Sequence, residues 1–306
     1  MEILETPVIG SRDSGGPLGV AWPREDRLVL TRADETTPGQ HLWWVESRTF
    51  VSSALSIPAP SECLTIDARG PRMLPAGLVV DVWCLPRLGA GDHELVLVRP
   101  DDKLQPIATL PWFPDSYAQV DGGAWLAGYD SGICAWIDVV PGTGSPTSAW
   151  PIRVTDDGEP FAVNASRDSA NCDGQPKAYG LAEAGDGRLA FLASGAVRSR
   201  GGVGRLSFPV QLYLQDADGT VRRLASGLVE PRSVQWSRDG EHVLLIATID
   251  DRQGIWEFGP DGSLRLLFEG DLFDFAESPD GARLAVIVKD GPRIDDASRL
   301  VIATFE

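Results

Sequence analysis

A chain of 306 residues, 43% hydrophobic and 23% charged, is long enough for one large domain or two average ones and has the balance of an ordinary globular protein. Its 44 acidic residues against 27 basic ones give a net charge of −17, a surface that repels nucleic-acid phosphates and anionic membranes. No apolar run approaches the ~20 residues of a membrane helix, so neither nucleic acid nor membrane is expected as a partner. Cys63, Cys84, Cys134 and Cys172 are scattered and form no Cys-x-x-Cys pair, which argues against zinc. The N-terminal "MEILETPVIG" has acids where a secretory signal needs Lys or Arg, so a cytoplasmic, monomeric protein with reduced thiols is expected.

In chain order, "EILETPVI" (2–9) reads as a strand without a nearby partner. "RDSGGPLG" (12–19) follows, and its "DSGGP" matches the nucleophile loop of chymotrypsin-like serine proteases. That chemistry needs a histidine and a carboxylate to activate the serine. No histidine precedes Ser14, and His41, His93 and His242 lack the motif that family uses, so the protease reading is rejected in favour of a Gly-Gly-Pro turn. "GVAWPREDRLVLTRA" (19–33), "HLWWVES" (41–47) and "TFVSSALSI" (49–57) then read as four successive strands, designated a, b, c and d. "LVVDVWCLP" (78–86) and "ELVLVRPDDKLQPIATL" (94–110) supply b, c and d of a second unit. "SYAQVDGGAWLAGYDSGICAWIDVV" (116–140) with "AWPIRVT" (149–155) makes a third.

The rest of the chain repeats itself. "AYGLAEAGDGRLAFLAS" (178–194), "SVQWSRDGEHVLLIATI" (233–249) and "LFDFAESPDGARLAVIV" (272–288) align as a strand, an Asp-Gly corner and a longer apolar strand. "QLYLQDADGTVRRLA" (211–225) and "GIWEFGPDGSLRLLF" (254–268) align as hairpins, where Asp-Gly supplies the positive-φ positions of tight turns. Six units of roughly 40–50 residues have the period of propeller blades. The chain is expected to be all-β, a single six-bladed β-propeller over 1–306, with four-stranded antiparallel blades at about 17–57, 63–110, 116–155, 178–225, 233–270 and 272–306. The last unit lacks a fourth strand. Placing 2–9 there closes the ring and covers an edge that would otherwise be open.

Ser278-Pro279-Asp280-Gly281 before "ARLAVIV", and Ser237-Arg238-Asp239-Gly240, resemble the TolB-type, WD-like propeller repeat. The resemblance spans about residue 178 to the end and concerns the fold. It implies no catalytic residue, because the repeat occurs in periplasmic scaffolds, peptidase accessory domains and small-molecule enzymes alike.

In such a ring the a–b and c–d turns share one face and the b–c and d–a connections the other. The long connections 32–40, 196–208, 290–298 and 156–177 fall on the second face, where long loops are often functional; 141–148 is an exception. Arg198, Arg200 and Arg205 form a basic cluster there that suits a carboxylate, a phosphate or an acidic segment, or else meets nearby acids such as Asp156 and Glu159. Trp112 and Phe113 are the candidate exposed aromatic anchor. Asp250, Asp251, Asp295 and Asp296 are candidate ligands for calcium or another divalent metal, although no DxDxDG loop occurs and solvated turns are the plainer reading; no cofactor is otherwise expected. His41, Asp250 and Asp295 are the candidate catalytic groups. Eight of the ten tryptophans fall in expected strands, and Trp43 and Trp44, being adjacent, must face opposite sides of theirs. The expected function is a non-catalytic scaffold that binds a protein or peptide through the loop-rich face. The alternative is a small-molecule propeller enzyme of the lactonase, cyclase or isomerase type, possibly dependent on a divalent metal, with its site at the channel mouth.

Overall fold

The corner sequences set the local geometry. In Ser278–Arg283 the serine N–H donates to the Arg283 carbonyl (2.9 Å) and Gly281 N–H to the Ser278 carbonyl (2.9 Å). The serine hydroxyl donates to Asp280 while accepting from Arg283 N–H. Ser237–His242 repeats the same circuit, with hydroxyl to Asp239 at 2.6 Å and His242 N–H to the hydroxyl at 2.9 Å. Gly240 and Gly281 sit at φ 72° and 71°, which only glycine adopts without strain. The repeated Ser-x-Asp-Gly is therefore a hydrogen-bonded corner between two strands.

The computed structural model describes residues 2–5, 18–33, 40–55, 63–74, 77–86, 93–99, 101–110, 114, 116–120, 125–130, 135–140, 148–149, 153–156, 159–162, 177–194, 210–291 and 298–305. Every regular element among them is a strand, and the chain falls into two compact units.

The first unit (1–113 and 270–306) contains three four-stranded antiparallel sheets. One is formed by β2 (Gly19–Arg24), β3 (Arg27–Ala33), β4 (Gln40–Glu46) and β5 (Ser52–Leu55). The next is formed by β6 (Cys63–Leu74), β7 (Gly77–Pro86), β8 (His93–Val98) and β9 (Leu104–Leu110). The third runs from β23 (Leu272–Glu277) through β24 (Arg283–Lys289) and β25 (Ser298–Thr304) to β1 (Glu2–Glu5). Glu2, Ile3, Leu4 and Glu5 lie opposite Thr304, Ala303, Ile302 and Val301, so the N-terminal strand supplies the missing fourth strand. Residues 6–17, with "RDSGG", lie outside the described residues.

The β2–β5 sheet is sandwiched between the other two. Val29, Leu42 and Trp44 meet Leu78, Val80 and Val96 on one side. Trp22, Leu28, Leu30 and Val45 meet Ala285, Ile287 and Ile302 on the other. Alternation along each strand thus feeds two interfaces, burying both faces of the middle sheet. Trp43 and Trp44 divide as expected.

The second unit (114–269) has a four-stranded sheet of β10 (Ser116–Gln119), β11 (Trp125–Asp130), β12 (Ala135–Val140) and β13 (Ser148–Ala149). It also has a seven-stranded sheet of β16 (Lys177–Glu183), β17 (Leu189–Ser194), β18 (Val210–Gln215), β19 (Val221–Trp236), β20 (Val243–Ile249), β21 (Arg252–Phe258) and β22 (Leu264–Glu269). Two details differ from expectation. The 149–155 segment is not one strand: Ala149 pairs with β12, whereas β14 (Arg153–Asp156) forms a separate hairpin with β15 (Glu159–Ala162). The strands expected at 211–225 and 233–249 are not separated by a loop, because β19 runs from the last strand of one expected blade into the first strand of the next. It bends at register shifts around Val229–Gln235, with Glu230 at φ 49° and Ser233 at φ 53°, so bulges carry one strand between two pairing partners.

Cys84 is disulfide-bonded, which corrects the expectation of reduced thiols.

Candidate functional site

In the first unit, strands b and c of two neighbouring sheets each place a histidine at the start of c. His41, on β4, lies opposite Arg32 on β3. Residues facing one another across an antiparallel ladder project to the same side, and alternation adds Trp43 to that side. The Arg32 guanidinium lies over the Trp43 ring, 3.9 Å from its centroid. The Arg32 Nε and the Trp43 Nε1 are buried without hydrogen-bond partners. An arginine held over an indole is a cation–π pairing that recognition surfaces use.

On the next sheet His93 faces Trp83 across β7 and β8, and the rings stack at 5.9 Å with an interplanar angle of 12°. The His93 Nδ1 lies 3.2 Å from a carboxylate oxygen of Asp81. The Asp81 side chain is 1% exposed and that of His93 14%. A carboxylate accepts here, so the imidazole donates from Nδ1. This is how a carboxylate orients a histidine base.

A further ionic contact lies deeper. A carboxylate oxygen of Asp274 on β23 accepts from Val20 N–H on β2 (3.0 Å) and from the Arg72 guanidinium on β6 (2.7 Å). It ties the a strands of all three sheets of this unit. The strands approach closely: a Cβ on Gly19 would come within 2.8 Å of the Thr31 hydroxyl and 2.9 Å of Pro71. We read the Arg72–Asp274 pair as structural.

Of the candidates named from sequence, Arg198, Arg200, Arg205, Trp112, Phe113, Asp295 and Asp296 lie outside the described residues. His41 falls at the b–c end of its sheet, beside Arg32. Asp250 and Asp251 form the two-residue turn between β20 and β21, at φ 50° and 63°, closed by Ile249 opposite Arg252. Both residues have the positive φ of a type I′ hairpin turn. No cluster of three or more His, Cys, Asp or Glu side chains suited to a metal occurs among the described residues. His242 is part of the Ser237 corner, its N–H bonded to the serine hydroxyl. Sequence reasoning missed Arg32, Trp83 and Asp81 as site residues. The alternation of Val80, Asp81 and Val82 was the available signal: it sends the acid to the face opposite the two valines.

No family model matches the chain, and no curated protein matches it. Among solved structures it is similar to TolB from Acinetobacter baumannii, with a TM-score of 0.54 at 14% identity, over 94% of this chain and 66% of that one. The chain thus spans just under two thirds of that TolB. It is also similar to an oligogalacturonate lyase solved in complex with manganese, with a TM-score of 0.52 at 10% identity, over 98% of this chain and 92% of that one. These likenesses fix the fold as an all-β propeller.

Proposed function

We propose that the chain forms one six-bladed ring and acts as a non-catalytic scaffold, taking a protein or peptide segment at the b–c and d–a ends of its blades. The observation that carries this reading is the Arg32–Trp43 stack. An arginine 3.9 Å from the centroid of a tryptophan ring combines two residue types favoured in the anchors of protein interfaces. Arg198, Arg200 and Arg205, with Trp112 and Phe113, fall in b–c and d–a connections of the sequence and are proposed as further contacts. The partner segment carries acidic side chains or a terminal carboxylate, which such a surface favours over the rest of this acidic chain. The test is affinity capture with the wild-type protein, R32A/W43A and R198A/R200A/R205A, with thermal melts to confirm folding. Both variants should lose the partner that the wild type retains. Undiminished capture by both rejects the reading.

One observation favours a second reading. His93 beside buried Asp81 has the arrangement that a general acid–base would use. On this reading the protein is a small-molecule enzyme, with a divalent metal held elsewhere on the same face. Metal analysis after exhaustive dialysis separates the two: a stoichiometric divalent ion favours the enzyme, and a metal-free protein that still captures its partner favours the scaffold.

A further inference from the structure

At the opposite ends of the strands in the first unit, the β2–β3, β6–β7 and β8–β9 turns gather around a pocket of about 360 Å³ between the β2–β5 and β6–β9 sheets. That volume is within the usual range for small-molecule sites. Its floor is apolar: Trp44, Leu78 and Val98 all line it, and they are 6%, 4% and 6% exposed. Met73 and Leu97 add apolar walls. Gly77 holds the wall in place. It sits at φ 123°, and a Cβ there would come within 3.1 Å of Leu97, so the β6–β7 turn can run close beside β8 only with glycine.

The charged residues that line the pocket carry one sign. Arg24 and Arg99 line the pocket, and no acid does. The Arg24 and Arg27 guanidinium carbons lie 5.7 Å and 6.0 Å from the centroid of the Trp44 ring. Arg99 donates to the uncharged amide oxygen of Gln105 at 2.8 Å. Two lining arginines, with a third against Trp44, contrast with a chain of net charge −17. A ligand complementary to this site has a short apolar body and one anionic head. The body takes the place of water against Trp44, Leu78 and Val98. The head meets guanidinium N–H groups in charge-assisted hydrogen bonds.

We propose that this pocket is a binding site for small carboxylates with an apolar or aromatic body of about a dozen heavy atoms, the size class that such a volume encloses. It lies at the strand ends away from Arg32 and His93, and it stands whether or not that surface binds a partner. The probe is 4-phenylbutyrate, followed at low salt by isothermal titration and by saturation-transfer NMR, with 4-phenylbutyramide as the uncharged control. Saturable one-to-one binding of the acid is expected, with the amide about ten-fold weaker, the share carried by a charge-assisted pair. R27A/R99A removes two exposed or half-exposed cations while keeping Trp44, Leu78 and Val98 in place, and should weaken the acid about ten-fold while leaving the amide unchanged. L97W, which fills the pocket, should abolish binding of both; near-UV circular dichroism confirms that each variant is folded. The proposal is overturned by absence of saturable binding up to about 10 mM acid, by equal affinity for acid and amide, or by affinity that survives in R27A/R99A.

Discussion

Ser278 has no exposed surface, and its hydroxyl is used twice, donating to Asp280 and accepting from Arg283 N–H. Removing it leaves the part-buried Arg283 N–H without its acceptor, so S278A should cost about 1 kcal/mol in urea unfolding. The serine's hydrogen bond, followed by that from Ala282 N–H, holds the Asp280 carboxyl below its ordinary value of 3.8; Asp239 is lowered in the same way by Ser237 and Glu241 N–H. A group whose folded value is depressed takes up its proton more readily when unfolded. Its contribution is therefore complete above about pH 4–5 and is lost as pH falls below 3.8. D280N keeps an oxygen for both donors but cannot titrate, so the stability gap between variant and wild type should narrow between pH 6 and roughly pH 3 in paired urea titrations. These corners were legible in the sequence because Ser, Asp and Gly act within six consecutive residues. The clasp that joins corners was not. Arg283 stacks over Trp22 at 4.7 Å and pairs with Glu25 at 2.7 Å. Arg188 likewise stacks over Trp236 at 4.8 Å and donates to the Gly240 carbonyl at 2.8 Å. Each pair reaches between strands far apart in sequence, so no local pattern announces it. The Asp81–His93 contact was hidden for the same reason.

Strand order followed from sequence wherever Asp-Gly or a long loop marked a reversal. It failed at β19, where no reversal exists: Gly227, Pro231 and Ser233 look like loop residues, yet they mark the bends of one long strand. The β20–β21 hairpin carries strain of its own. Two aspartates occupy left-handed positions that cost a non-glycine residue roughly 1–2 kcal/mol, somewhat less for aspartate. Asn-Gly is the preferred pair for this turn. D250N/D251G should therefore raise stability by about 1 kcal/mol, seen as a higher melting temperature. A fall would mean that the two carboxylates are stabilised by something other than turn geometry, such as a bound cation.

The joining of residues 2–5 to β25 links the two ends of the chain, and it was legible because the last unit lacked a strand while the first residues had a spare one. Deleting 2–5 bares the outer edge of β25, whose Val301, Ile302 and Ala303 are buried strand residues. An uncovered edge of that kind pairs with other molecules. The truncated protein should melt earlier and form light-scattering aggregates at concentrations where the full chain stays clear; an unchanged melt would show that β1 contributes nothing to the sheet. The same pairing bears on biosynthesis. The ribosome makes β1 about 290 residues before β25, a wait of roughly 15–60 s at ordinary elongation rates. Throughout that interval the nascent sheet is incomplete, and the N-terminal segment is open to chaperones, or to a neighbouring nascent chain on the same message.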